Sequence, residues 1–486
     1  MRKYLVVTLL LLSPFVASAQ VGMQKYGGAG NQYGYRIKPT KDGGFIVAGA
    51  NDATGQKNGD YWVVRFDRKG QVMWDSAYGN PDVDFLWSVE PTKDNGALLA
   101  GYSGVQNSGT EEALMYKIDS VGKVVKKLEV NFAKSDHAHW FKQIRDGHYY
   151  WAGHTDSEGD PNGDMILQKL DSNFKLVWQK TYDNGSAEHC HTAAITADDG
   201  CILLGHTTIN NREKFFAVRV DTSGKVIWKK SYSSDPSNND SPYDVAVTRE
   251  GDYAFFGYSG DYYTVSSMWL LVVDTNGTVK IDKHYNTDVC SIFGGIQSSD
   301  SGYVISGYSV LPGSANSHLY VVKTDKTGAL EWQKTYGDSA WAYDVMQRGK
   351  QFIVAGGTDQ TADHQDDLWI VVLDSAGNPA PLAPLPEDTT KETVRSREIP
   401  GVFLSQNYPN PFSASTTISF SLDRSQHVTL EIFNDLGEKI STLIDRTEEV
   451  GNHYIRFNAK DLPSGKYLCK LTTAAGSQFN EMVVGK

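Results

Sequence analysis

"VDTSGKVIW", residues 220–228, places an aspartate three residues before a glycine and seven before a tryptophan, directly after a short apolar run. The same D-x-x-G turn recurs at Asp67, Asp119, Asp274, Asp325 and Asp374, and at Asp171 with Phe174 in the glycine's place. Together with Asp221 these are seven aspartates spaced by 49 to 53 residues. A second marker keeps step with them, a glycine that closes a "GGFIVAG"-like run: Gly49, Gly101, Gly153, Gly205, Gly257, Gly307 and Gly356. Two series in register along most of the chain establish seven repeats.

Each repeat reads as four short strands, A to D. In the first repeat these are "YRIKPT", "FIVAG" after the "KDGG" turn, "YWVVRFD", and "VMWDSAYG" after the D-x-x-G turn. Aspartate and glycine supply the side-chain-to-backbone bonds and the positive φ that such turns need. Strands B and C are apolar on both faces, as in sheets buried between sheets. Seven four-stranded units of this size predict an all-β chain with a seven-bladed β-propeller over residues 20–377. After Asp374 the chain runs into "NPAPLAPLPED", which cannot continue as a central strand. The missing strand is at the other end. "GMQKYGG" (22–28) matches "EWQKTYG" of the sixth repeat and is expected to complete the seventh blade, closing the ring and covering its edge.

The first 19 residues have a basic start (Arg2, Lys3), an apolar stretch and a final Ala17-Ser18-Ala19, the pattern of a secretory signal peptide. No later run is apolar enough to span a membrane. The formal net charge of −12 becomes more negative on cleavage and argues against nucleic acid as a partner. Four cysteines in separate segments predict no structural disulfide. The expected location is secreted or at the outer cell surface.

Residues 378–400 have the proline, threonine and charge of a linker. From 401 to 486, alternating strands separated by Asp-Leu-Gly and Pro-Ser-Gly turns predict a small β-sandwich. Here "NYPNPF" (Asn407, Tyr408, Pro409, Asn410, Pro411, Phe412), "LEIFNDLGEKI", "LPSGKYLCKL" and the final "MVVGK" resemble the immunoglobulin-like type A C-terminal sorting domain of type IX secretion. The family usually ends in bulkier and more basic residues than Gly485. The resemblance implies recognition by outer-membrane secretion machinery, transport across that membrane, and then cleavage with release or surface attachment. The propeller repeats resemble those of propellers that often precede such tails, which predicts fold and not chemistry.

Motifs for chemistry are few. The +3 glycine and +7 tryptophan fit neither the sialidase-type Asp box nor the quinoprotein blade, and Trp74, Trp178, Trp228 and Trp332 read as packing between blades. In "HTDSEGDPNGD" (154–164) the alternating oxygens of Asp156, Glu158 and Asp160 could wrap a calcium ion, although Asp164 aligns with the turn residue Asp60 and a solvated turn is the plainer reading. No G-x-S-x-G, P-loop, H-E-x-x-H or C-x-x-C occurs, and no catalytic set can be named.

Histidine is the exception. "DHAHW" (136–140) and "EHCHT" (188–192) occupy equivalent places in repeats 3 and 4. Regular hairpin pairing predicts His139 opposite His154 and His191 opposite His206, with His137 and His189 on the same faces. Three imidazoles on one face of each blade suit zinc or copper. Other repeats carry Tyr35, Trp87, Tyr243 and Phe293 on strand A and Tyr102, Tyr258 and Tyr308 after strand B, so histidine as a packed aromatic is the competing reading. Two functions stay open: an exported binding module for a protein or glycan, which the regular repeats favour, and a metal-dependent or glycan-processing enzyme using the histidine face.

Overall fold

The computed structural model describes residues 22–485 apart from 28–29, 52–59, 80–82, 105–110, 131–133, 157–162, 262–264, 287–288, 312, 360–365, 385–400, 406, 408, 411, 435–438, 460–461 and 464. The segment read as a signal peptide lies outside them. The chain divides into two compact units, Met1–Pro384 and Leu385–Lys486.

The first unit holds seven four-stranded antiparallel sheets, each in the order A-B-C-D. Blade 1, for example, runs Gln32–Pro39, Phe45–Asn51, Asp60–Phe66 and Val72–Tyr78. Blade 7 is built from Ala340–Arg348, Gln351–Thr358, Asp367–Leu373 and, as its outer strand, Met23–Tyr26 from the start of the chain. Met23 pairs with Val371 and Tyr26 with Leu368, so the ring closes as the sequence predicts. Strands B and C are mostly buried, and the apolar clusters between them join neighbouring blades. Pro379–Ala383, the start of the segment read as a linker, lies against blade 7: Gln351 bonds the Pro381 carbonyl and the Ala383 amide.

The D-x-x-G turn has two tasks. Asp221 Oδ1 accepts from the amides of Ser223 (2.8 Å) and Lys225 (3.0 Å), and all seven aspartates repeat this pair of bonds. The glycine then receives the preceding blade. Gly224 has φ of 77°, the Trp178 ring lies 2.9 Å from where its Cβ would stand, and its carbonyl accepts from Tyr182 Oη at 3.0 Å. Trp228 and Tyr232 reach Thr275 and Gly277 in the same way. At the closure Tyr26 Oη contacts the Gly70 carbonyl at 3.4 Å. The repeated tryptophans therefore pack between blades.

The junction between blades 2 and 3 breaks the pattern and explains Phe174. Strand D of blade 2 (Val124–Val130) carries Lys126 and Val130 where blades 1, 3, 4 and 6 carry tryptophan and tyrosine. Phe174, at φ of 67°, fills the space from the other side, packed against Leu128 and Val130 with the Lys126 ammonium 5.2 Å from its ring centre.

The second unit has a three-stranded and a four-stranded sheet that share one core, including Ile418, Phe420, Leu430, Ile432, Cys469 and Met482. Residues of the "NYPNPF" motif tie its start to its end. Buried Asn407 donates to Thr416 Oγ1 (2.9 Å), Asn410 Oδ1 accepts from the Val483 amide (2.7 Å), and the core residue Phe412 bonds the Val483 carbonyl (3.0 Å). Tyr408 and Pro411 lie outside the described residues.

Candidate functional site

Strand A lines the centre of the ring, and in every blade it carries one β-bulge. The register skips Tyr35, Trp87, His139, His191, Tyr243, Phe293 and Tyr343, each an extra residue facing one position on strand B. The glycine series marks these bulges. A Cβ on Gly153 would stand 1.7 Å from the His137 carbonyl oxygen, and the other six glycines meet the matching carbonyl at 1.6 to 2.3 Å. Only glycine leaves room for a bulged strand to press so close.

The seven bulge residues form a closed ring of side chains. Successive ring centroids are 6.2 Å (Tyr35–Trp87), 5.2 Å (Trp87–His139), 6.0 Å (His139–His191), 5.4 Å (His191–Tyr243), 5.1 Å (Tyr243–Phe293), 4.9 Å (Phe293–Tyr343) and 4.7 Å (Tyr343–Tyr35). All seven are partly exposed. Two residues earlier on strand A a second tier adds Tyr33, Phe85, His137, His189 and Trp341. Offset and edge-on contacts of this kind add stability beyond the area they bury.

The six histidines occupy one arc of this platform. Their pairing differs from the regular hairpin expected from sequence: His137, not His139, faces His154, and His189, not His191, faces His206. The bulge is the reason, because one extra residue shifts the register beyond it. Convergence survives the correction. His137, His139 and His154 each place a ring nitrogen within 4.8 Å of the others. In blade 4, His191 Nε2 and His206 Nδ1 are 2.9 Å apart, and the His154 and His189 rings stack at 4.4 Å across the blade boundary. Burial holds all six rings in the neutral form, bringing His137 down to about 4, with the Glu111 charge opposing, and His206 to about 3. His139 Nε2 and His154 Nδ1 are buried without a hydrogen-bond partner, as is Trp87 Nε1.

One step further along strand A the lining turns charged. Arg36 reaches from blade 1 to the carbonyls of Phe293 (2.9 Å) and Tyr243 (3.3 Å), and Lys38 pairs with Asp344 at 2.9 Å. Burial raises the Asp244 carboxyl although Arg36 and Lys38 oppose the shift. Arg36, Lys38 and Asp244, with Glu90 and Lys142, line a cavity of about 550 Å³ that reaches His139.

The calcium expectation is only partly placed, since Glu158 and Asp160 lie outside the described residues. Asp156 is held through its amide by the Ser135 carbonyl, and burial raises its carboxyl. Asp164 opens a strand as Asp60 does, and its carboxylate gathers with those of Asp183 and Glu188. Glu188 is already bonded to Ser186, Thr207 and the Asn184 amide. All four cysteines are buried free thiols.

Sequence reading named six of the ring's seven members and missed Tyr343. The hairpin of blade 7, where Arg348 pairs with Gln351, is shorter than the others and displaces Tyr343 relative to Gly356. The ring itself was not legible, because its members meet only when the blades close.

Residues 406–485 match the family model described as a secretion system C-terminal sorting domain. No curated protein matches the sequence. Similar solved structures include PorZ, an essential bacterial surface component of the type IX secretion system of Porphyromonas gingivalis (11 % identity over 93 % of this chain and 70 % of that chain, TM-score 0.40). Puromycin hydrolase is similar at 11 % identity over 84 % of this chain, which spans 62 % of that protein, less than two thirds of it (TM-score 0.45). Drosophila semaphorin 1b, extracellular domains 1–2, is similar at 9 % identity over 72 % of this chain and 86 % of that one (TM-score 0.42). The chain is thus a seven-bladed propeller followed by a type IX secretion C-terminal sorting domain, a tail that marks it for export.

Proposed function

We propose that this exported propeller is a binding module whose ligand docks on the aromatic platform midway along the A strands, and that the ligand is a glycan. One observation carries the reading: seven partly exposed bulge rings form a continuous surface, where the channel of a purely structural propeller needs only filling. A contiguous, partly exposed aromatic surface is the kind of patch that marks interaction sites. Sugar rings present both an apolar C–H face and hydroxyls, so they suit such a surface. A protein ligand is the competing outcome.

The C-terminal domain is the module's address label, engaged by the outer-membrane secretion machinery and cleaved or used for attachment after passage. A chain ending at residue 400 is expected to stay inside the outer membrane, which cell fractionation reads directly.

The binding reading is tested on a glycan array with the mature chain and its Trp87→Ala and Tyr35→Ala variants. Losing a stacking ring worth ~1 kcal/mol or more should weaken a genuine ligand about fivefold or further. Binding that is absent, or unchanged in both variants, removes the platform as the glycan site.

A further inference from the structure

The platform is aromatic around most of its circumference, but one arc is imidazole, and packing alone does not account for that. The positions equivalent to His139 hold Tyr35, Trp87, Tyr243, Phe293 and Tyr343 in other blades, so a plain ring fills the space. At His139 and His154 the fold instead buries nitrogens, and Nε2 of the first and Nδ1 of the second have no hydrogen-bond partner. A buried polar atom without a partner costs ~1–3 kcal/mol, which phenylalanine would avoid.

We propose that His137, His139 and His154 form a binding site for a zinc or copper ion. Their ring nitrogens already lie within 4.8 Å of one another, so small rotations bring three donors to one centre. The donor set consists of nitrogen alone, which selects late first-row transition metals over calcium or magnesium. The strand order explains the convergence: His137 and His154 are directly paired, and the bulge turns His139 back toward them. His137 has an outer partner as well. Its Nε2 lies 3.3 Å from Ser135 Oγ, which in turn donates to Glu111 at 2.8 Å, a relay that orients a ligating imidazole and brings a carboxylate near the cation. Three protein ligands leave a position open in the coordination shell of such an ion. The site does not depend on the glycan reading and is tested without any glycan.

The mature full-length chain, stripped with EDTA, is incubated with zinc chloride or copper sulfate alone, desalted, and its metal content measured with its thermal midpoint. We expect about one bound equivalent and a raised midpoint. The double variant His139→Tyr/His154→Tyr uses side chains that other blades carry there, so it is expected to fold, with an unchanged circular dichroism spectrum, and to hold no metal. Replacing His191 and His206 by tyrosine should leave the equivalent bound. A wild-type chain that retains neither ion, or a folded His139→Tyr/His154→Tyr chain that retains as much as wild type, overturns the site.

Discussion

The carbonyl oxygen of His137 lies 1.7 Å from where a Cβ of Gly153 would stand. That approach is the mark of the bulge, and it links a glycine read as a mere strand end to the side chain on the channel axis. Gly153→Ala forces the bulged strand away and should cost about 3 kcal/mol or more, the upper end for overpacking. Gly147→Ala has open space and only a φ of 86° to contend with, so about 1–2 kcal/mol is expected. Urea denaturation of the two variants compares them, and equal costs would refute the bulge explanation.

Phe174 and its neighbours make a second test. Phe174→Gly relieves a positive φ but empties the space beside Leu128 and Val130, so a net loss of about 3 kcal/mol is expected. Adding Lys126→Trp and Val130→Tyr supplies the pair that blades 1, 3, 4 and 6 carry and should recover most of it. If the triple variant is no more stable than Phe174→Gly, the proposed exchange between the two sides of the junction is wrong.

Ring closure is testable by truncation. Deleting Met23–Tyr26 exposes the strand Asp367–Leu373 as an open edge and removes the Tyr26–Gly70 contact. The shortened chain should melt lower, aggregate on concentration and be cut first in blade 7 under limited proteolysis. Unaltered melting and digestion would mean that the first strand adds nothing to the ring.

Acid stability should depend on the turn between strands A and B. Burial works against the Asp198 charge, but hydrogen bonds from Thr196 and Arg219 win and bring the carboxyl down to about 2. A carboxyl lowered on folding contributes stability that is present above its unfolded value near 4 and is lost as pH falls toward 2. Asp198 is 57 % exposed, so screening holds the effect to about 1 kcal/mol. Asp198→Asn should be less stable than wild type at pH 6, and the gap should close by pH 2. A gap that persists at pH 2 would assign the loss to packing.

The repeats, the four strands of each blade and the closure by Met23–Tyr26 were legible because they depend on local patterns: apolar runs, D-x-x-G turns and one missing strand. The histidine register was misread because regular pairing was assumed, and the signal against it was present in the lone strand glycines, which are a known companion of bulges. The sequence by itself determined seven blades, their order, the sorting tail and six of the seven ring residues on the A strands. Only the tertiary structure decided that these six and Tyr343, one from each blade, meet in a single ring, and that His137, His139 and His154 converge there. The physical reason is distance along the chain. Side chains about fifty residues apart become neighbours only when successive blades pack, and Tyr35 and Tyr343 only when the ring closes, and no local preference encodes that meeting.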